Sequence, residues 1–181
     1  MTASPLPRPD SGAHPSLVEL IAQADERALA ASGLACLDRC LPLLGGADQA
    51  LRPLWVSLAE DTAWGAELAE VRGELAADAD GGDAAALTAR MLDAVPAQRS
   101  ADALRPWADA CSAAALQIHR LLDGPTDGVS PLASAELRRQ IRVLELLAAG
   151  GLRQVVEVSA EGRRVLQAAV SRARRAQTSP S

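Results

Sequence analysis

The sequence predicts an all-α protein of six or seven helices, arranged as antiparallel hairpins in a single bundle or a short stack. Of its 181 residues, 39 are Ala and 27 are Leu, which head the helix-propensity scale. The chain has no Phe and no Tyr, and β-branched residues are sparse, so a large sheet has little to be built from. A chain of this length buries about 70% of its unfolded surface on folding, so we expect no need for a disulfide or a structural metal.

The first two helices are predicted from a capping motif and from glycine breakers. Ser16 and Glu19 form a capping box, in which each side chain satisfies a free backbone N–H at the start of a helix. Apolar residues then recur at helical spacing up to Gly33, where we expect this helix to stop. A second, short helix is expected over 34–44, ended by the glycine pair at 45–46.

A long third helix and a short fourth helix follow. Pro53 suits the first turn of a helix, where its missing N–H costs nothing, and the apolar spacing predicts one continuous helix over 52–78. Residues 80–83 form a predicted loop. Asp83 can cap a short helix that runs to Val95, just before a proline.

Three more helices are predicted. The first covers residues 104–123, the second runs from the Ser130-Pro131 cap to the glycines at 150–151, and the third covers residues 152–175. The second of them has a predicted buried stripe of Leu137, Ile141, Leu144 and Ala148. The 104–123 helix has a stripe at the spacing of a buried face, consisting of Leu104, Trp107, Cys111, Ala115, Ile118 and Leu122.

We expect one domain over 16–175 between two flexible tails. Residues 1–15 are rich in proline and small polar residues, and residues 176–181 follow the last apolar position. The N-terminal residues contain no apolar segment of the secretory kind, and the three cysteines form no paired framework, so we expect a cytoplasmic protein. All 18 basic residues are Arg and none is Lys, a bias typical of a GC-rich genome and suggesting an actinobacterial source.

Three segments resemble one another and are predicted to start helices. They are Leu51-Arg52-Pro53, Leu104-Arg105-Pro106 and Leu152-Arg153-Gln154, and each follows a glycine- or proline-containing stretch. The order of short helix, loop and Arg-containing second helix is similar to that of HEAT-like repeats, without identifying that family. The predicted stack is therefore HEAT-like, and chance similarity in a Leu- and Arg-rich chain remains the alternative.

Charge is unevenly distributed along the chain. Residues 1–128 hold 9 Arg against 19 acidic residues, whereas residues 129–181 hold 9 Arg against 4 Glu. Arg164, Arg172 and Arg175 fall on nearby turns of the last helix and are candidate partner-binding residues. Packing of the basic end beside the acidic helices is the alternative. An acidic pI of about 5.0 and the lack of stacking aromatics argue against nucleic acid as the partner.

Candidate chemistry is limited. Cys36 and Cys40 share a helix face and, with Cys111 and His119, are the soft ligands of the chain, but no zinc-site spacing occurs, so we predict no metal and no cofactor. We assign no catalytic residues. If the protein is an enzyme, the candidates are His119, expected at the edge of the core, with Glu60 and Glu67 on the long third helix.

Two function hypotheses follow. The first is a small accessory or regulatory protein that binds another protein, with a homodimer left open and no membrane association. The second is a helical-bundle enzyme or small-molecule binder of specialised metabolism, with a pocket lined by Trp64, Trp107 and His119. In the first hypothesis Trp55 and Trp107 are core or inter-helix anchors.

Overall fold

The computed structural model describes residues 15–75 and 81–178. All regular secondary structure in these residues is helical, and they contain no strand, so the all-α prediction is confirmed. The described residues hold eight α-helices rather than six or seven. The helices are α1 (Leu17–Gln23), α2 (Glu26–Cys40), α3 (Arg52–Glu60), α4 (Trp64–Glu74), α5 (Gly82–Asp93), α6 (Ala101–Asp123), α7 (Pro131–Ala148) and α8 (Leu152–Thr178), and a 3₁₀ turn, Leu41–Leu44, extends α2.

The second helix begins at Glu26, eight residues before its predicted start at residue 34. The Ser16 capping box is confirmed, but α1 ends at Gln23 because Asp25 caps a new helix through a 2.8 Å bond from the Ala28 N–H. Gly33 lies inside α2 and does not stop it. The predicted stop at Gly33 and the predicted helix start at residue 34 were therefore wrong, since a cap residue outranks a tolerated glycine. The predicted end before the glycine pair is confirmed, because the 3₁₀ turn ends at Gly45 in a left-handed conformation.

The predicted long third helix is also wrong, because it is two helices. Asp61 adopts a left-handed conformation with φ of 55° and ends α3, and α4 begins at Trp64. The Arg99 guanidinium lies 2.7 Å from the Asp61 carboxylate and 2.6 Å from that of Glu26, and so ties this break to the start of α2. The rest of the predicted helix, residues 76–78, lies outside the described residues.

The later helices follow the predictions closely. α6 begins at Ala101 rather than 104, so the second of the three similar segments lies inside a helix and does not start one. α8 continues to Thr178, past the predicted end at 175, and residues 155–159 are helical as expected. The predicted N-terminal tail, apart from Pro15, and residues 179–181 lie outside the described residues.

Helix α2 is the centre of the molecule. Every residue from Leu29 to Leu41 is buried, and α2 packs most extensively against α6 and α8, with α7 beside them. A helix with no solvent face must place its polar side chains against other helices. Asp38 and Arg39 are two such side chains, and they organise the polar sites described below.

Two arginines from the acidic part of the chain serve as helix caps. Arg105 donates to the last carbonyls of α1, including Ile21 O at 2.6 Å, and Arg72 donates to carbonyls at the end of α5, including Val95 O at 2.8 Å. A guanidinium satisfies the free carbonyls of a helix end and complements their partial negative charge. None of the helices in the described part of the chain combines the length and the apolar character needed to cross a membrane.

Candidate functional site

The two tryptophans of the predicted pocket are buried, and each indole N–H bonds to a different backbone carbonyl. The Trp64 indole N–H donates to Pro96 O at 2.8 Å, and that of Trp107 donates to Met91 O at 3.0 Å. Trp107 packs on Gly33, where an added Cβ would come within 2.4 Å of the ring. The ring therefore takes the space that a side chain at position 33 would need. The two rings fill space between different helices, as the anchor interpretation of Trp107 expects.

A buried ion pair joins α2 to α7. Arg39 and Glu136 are both 0% exposed, and the guanidinium binds the carboxylate through two bonds, from Nη2 to Oε1 at 2.6 Å and from Nε to Oε2 at 2.9 Å. Gly162 of α8 makes room for the pair, since a Cβ there would lie 2.3 Å from Arg39 Cδ. Burial raises the pKa of Glu136, but the charge of Arg39 and the hydrogen bonds from Arg39 and Gln140 together outweigh it and hold that pKa below its usual range.

Side chains from α6 and α7 complete this polar cluster. Gln140 Nε2 donates to Glu136 Oε1 at 3.0 Å and to Ser112 O at 3.2 Å, and the Ser112 hydroxyl donates to Gln140 Oε1 at 2.6 Å. Glu136 and Gln140 thus face the core, whereas Leu137 is exposed. The buried face of α7 therefore lies one residue away from the stripe that the sequence predicted. We name Arg39, Glu136, Gln140, Ser112 and His119 the buried cluster.

His119 lies inside the core and not at its edge, contrary to the prediction. It is 1% exposed, and its Nδ1–H donates to Ala115 O at 2.7 Å, so in the neutral ring Nε2 carries the lone pair. Nε2 lies 3.7 Å from Glu136 Oε2, too far for a good hydrogen bond. Burial lowers the pKa of His119, although the charge of Glu136 opposes that shift.

This arrangement predicts a pH dependence of stability. As pH falls from about 7 to about 5, unfolded His119 takes up a proton near its ordinary pKa of 6.5, while the folded ring, with its lowered pKa, resists. The unfolded state then binds more protons, so the free energy of unfolding decreases. We expect urea titrations of His119→Gln across this range to show a smaller decrease than the wild type. His14→Gln is the control, and parallel wild-type and His119→Gln curves would contradict the expectation.

The carboxylate pair predicted on the third helix is divided by the break after α3. Glu60 is exposed in the last turn of α3, and Glu67 is partly buried in the first turn of α4. They no longer share one helix face with Trp64 between them. The catalytic roles assigned to Glu60, Glu67 and His119 stay predictions.

The three cysteines are free and buried. Burial raises the pKa of Cys36 to about 12, against a smaller opposing effect of Arg39, and also raises the pKa values of Cys40 and Cys111. These thiols are therefore protonated at neutral pH and poorly nucleophilic. Within residues 15–75 and 81–178, no group of three or more His, Cys, Asp or Glu side chains could hold a metal ion.

An open depression of about 450 Å³ lies between α3 and α8, beside Asp38, the second buried charged residue of α2. Asp38 accepts bonds from the Arg163 guanidinium and from the Trp55 indole N–H at 3.3 Å. Burial raises the pKa of Asp38 despite the attraction of Arg163. Arg163 Nε lies 3.7 Å from the exposed Asp48 carboxylate, so one guanidinium is held between two acids.

A second depression of about 360 Å³ adjoins the first and extends toward α4. The two share Gln49 and Arg52, and the second also contacts Val56 and Glu67. We name the pair of depressions the α3–α8 groove, with the inner depression next to Asp38 and the outer one next to Glu67. Gln49 and Arg52 therefore lie at the boundary where the two open depressions meet.

The candidate partner-binding arginines lie on the C-terminal half of α8. Arg164 and Arg172 are exposed, as is Arg175, which makes an interaction of its own. Their neighbour Arg163 points into the groove, where it pairs with Asp38. The basic end of the chain is therefore partly used within the molecule and partly exposed.

Sequence reasoning missed most residues of both polar sites. The sequence did contain a signal for the buried cluster, because the charged residues Asp38 and Arg39, between Cys36 and Cys40, interrupt a long apolar segment. Comparisons of the chain with protein-family models, with curated proteins and with solved structures find no match. Of the two sites, the buried cluster is closed to solvent and the α3–α8 groove is open to it.

Proposed function

We propose that this protein is a small accessory protein without chemistry of its own, which binds an extended segment of another protein in the α3–α8 groove. The observation that carries the proposal is the adjacency of two open depressions, which share Gln49 and Arg52. A long, shallow surface suits a chain segment, whereas drug-sized ligands are usually enclosed on most sides.

The groove has the mixed character of a recognition surface. Val156 and Val56 are 36% and 39% exposed, and each contacts one of the two depressions. The largely buried Trp55 also lines the inner depression, together with the charged side chains of Asp48, Arg52 and Arg163. Aromatic and Arg side chains within a polar rim are typical of protein interfaces.

Two further observations support a non-catalytic role and a cytoplasmic location. His119, the histidine of the described region, is sealed in the core beside a carboxylate that Arg39 neutralises. All three cysteines are free, which fits a reducing compartment. We also favour a bundle around α2 over a HEAT-like stack, because α2 contacts α3, α5, α6, α7 and α8, whereas units of a stack contact only their neighbours.

The test is selection from a displayed library of random twelve-residue peptides. We expect the wild type to enrich binders, and Ala160→Trp to weaken them by about tenfold or more, because the indole would fill the inner depression. Ala148→Trp, on an exposed position of α7, is the matched control and should retain binding. Melting temperatures of all three proteins check that the fold is intact.

Two results would contradict the proposal. One is the absence of any enrichment by the wild type, and the other is equal binding by Ala160→Trp. A concentration-dependent dimer of the wild type in analytical ultracentrifugation, lost in Ala160→Trp, would instead place a second copy of the chain in the groove. Arg164, Arg172 and Arg175 stay candidates for contacts beyond the groove, tested by Arg172→Glu with Arg164→Glu in the same selection.

The second candidate function is small-molecule binding in the inner depression. Its volume of about 450 Å³ falls within the roughly 300–1,000 Å³ range of ligand pockets, and Trp55, Asp38 and Arg163 are polar groups that could orient a ligand. These are not the pocket residues predicted from sequence. A thermal-shift screen of amino acids and small carboxylates, repeated on Ala160→Trp, distinguishes this candidate from peptide binding.

A further inference from the structure

We infer that the α3–α8 groove selects a segment with one acidic residue between apolar residues, the acid pairing with Arg52. This inference rests on the proposed function and adds the chemistry of the bound segment. It makes Arg52 the specificity-determining residue of the groove.

The first argument is the state of the charges along the groove. Arg163 is neutralised by Asp38 and Asp48, whereas the partner of the exposed Arg52 guanidinium is the neutral Gln49 Oε1, at 3.3 Å. Arg52 also belongs to both depressions, so its charge lies at the middle of the groove. A guanidinium presents a planar pair of donors that matches a carboxylate.

The second argument is the helix that carries Arg52. Arg52 is the first residue of α3, which has no side-chain cap at its start and no acidic residue in its first turn. The partial positive charge of this helix end is therefore not compensated by the chain itself. A carboxylate at Arg52 would pair with the guanidinium and lie near the partial positive charge of the helix end.

The third argument limits the acid to a single position. Exposed Asp48 lies on the inner side of Arg52, and Glu67 lies on its outer side. A run of acids would place like charges against these carboxylates. Beside the central acid, Val156 and Val56 offer apolar contacts, one in each depression.

The test compares peptide selections on the wild type, on Arg52→Glu and on Arg138→Glu. Arg138 is exposed on α7, so its variant makes the same charge change away from the groove. Glutamate is favourable in the first turn of a helix, so Arg52→Glu should keep its fold. We expect an acidic central position in wild-type binders, a basic one with Arg52→Glu, and no change with Arg138→Glu.

A synthetic peptide of the wild-type consensus gives the quantitative arm. Changing its central Asp to Asn should weaken binding by about twofold to fivefold, measured by fluorescence anisotropy at low salt. In Arg52→Gln the Asp and Asn peptides should bind equally. Added salt should reduce the Asp preference of the wild type, because exposed charges are screened.

The outcomes separate this inference from the function on which it rests. The acidic-segment inference would be overturned if the peptides that bind the wild type, and are lost with Ala160→Trp, have no acidic central position. It would also be overturned if the peptides selected on Arg52→Glu keep an acidic central position. Either result would leave groove binding intact. No enrichment at all would overturn both. A preference reversed by Arg52→Glu supports both.

Discussion

Glu136→Ala is expected to lower the free energy of unfolding by about 3–5 kcal/mol, the loss typical of breaking a buried ion pair. The change removes the carboxylate that takes two bonds from Arg39 and leaves a fully buried guanidinium without a counter-charge. It also takes an acceptor from Gln140. Urea denaturation followed by circular dichroism measures the effect.

A pair replacement separates loss of the partner from loss of the pair. Arg39→Met with Glu136→Leu removes both charges, and we expect it to cost less than Glu136→Ala alone, because no unpaired charge remains. Glu145→Ala removes an exposed carboxylate 3.8 Å from Arg142 and should cost less than about 1 kcal/mol. A loss for Glu136→Ala as small as this control would mean that water reaches Arg39.

Trp107→Ala is expected to cost about 3–5 kcal/mol. The ring is buried between α2 and α5, packed on the bare face of Gly33, and its indole N–H is bonded to Met91 O at 3.0 Å. Truncation leaves a cavity and an unpaired carbonyl at the end of α5. Thermal and urea unfolding both report the loss.

Gly33→Ala provides the matched test of this contact. Its methyl group would lie 2.4 Å from the Trp107 ring, so overpacking should cost about 1–3 kcal/mol. In the double variant the methyl group enters the space left by the indole, and the combined loss should be smaller than the sum of the single losses. Strict additivity would show that the two residues do not share this space.

The fold class and the α6 face were predictable because they depend on local pattern. The stripe from Leu104 to Ile118 is buried as expected, since apolar residues at helical spacing define one face whatever packs against it. The buried face of α7 differs from the predicted stripe because Glu136 and Gln140 face inward. Their orientation depends on Arg39, a partner 97 residues away in the sequence.

The helix breaks illustrate the same limit. Asp25 was a usable cap signal, but the glycine at 33 drew the boundary away from it. The left-handed Asp61 has no comparable local signal, and its carboxylate is held by Arg99 from another part of the chain. The groove was beyond prediction for a related reason, because Asp38, Arg52 and Arg163 come from three separate helices.

The central position of α2 also affects how the chain can fold during synthesis. Arg39 and Asp38 are translated early, but their partners Glu136 and Arg163 follow 97 and 125 residues later. At ordinary elongation rates of about 5–20 residues per second, α2 waits several seconds or more for the helices that cover it. While the chain is on the ribosome, the helices that will cover the apolar and charged side chains of α2 are not yet present. The nascent chain therefore exposes aggregation-prone surface until α7 and α8 emerge, and the native core around α2 forms only after α8 has been made.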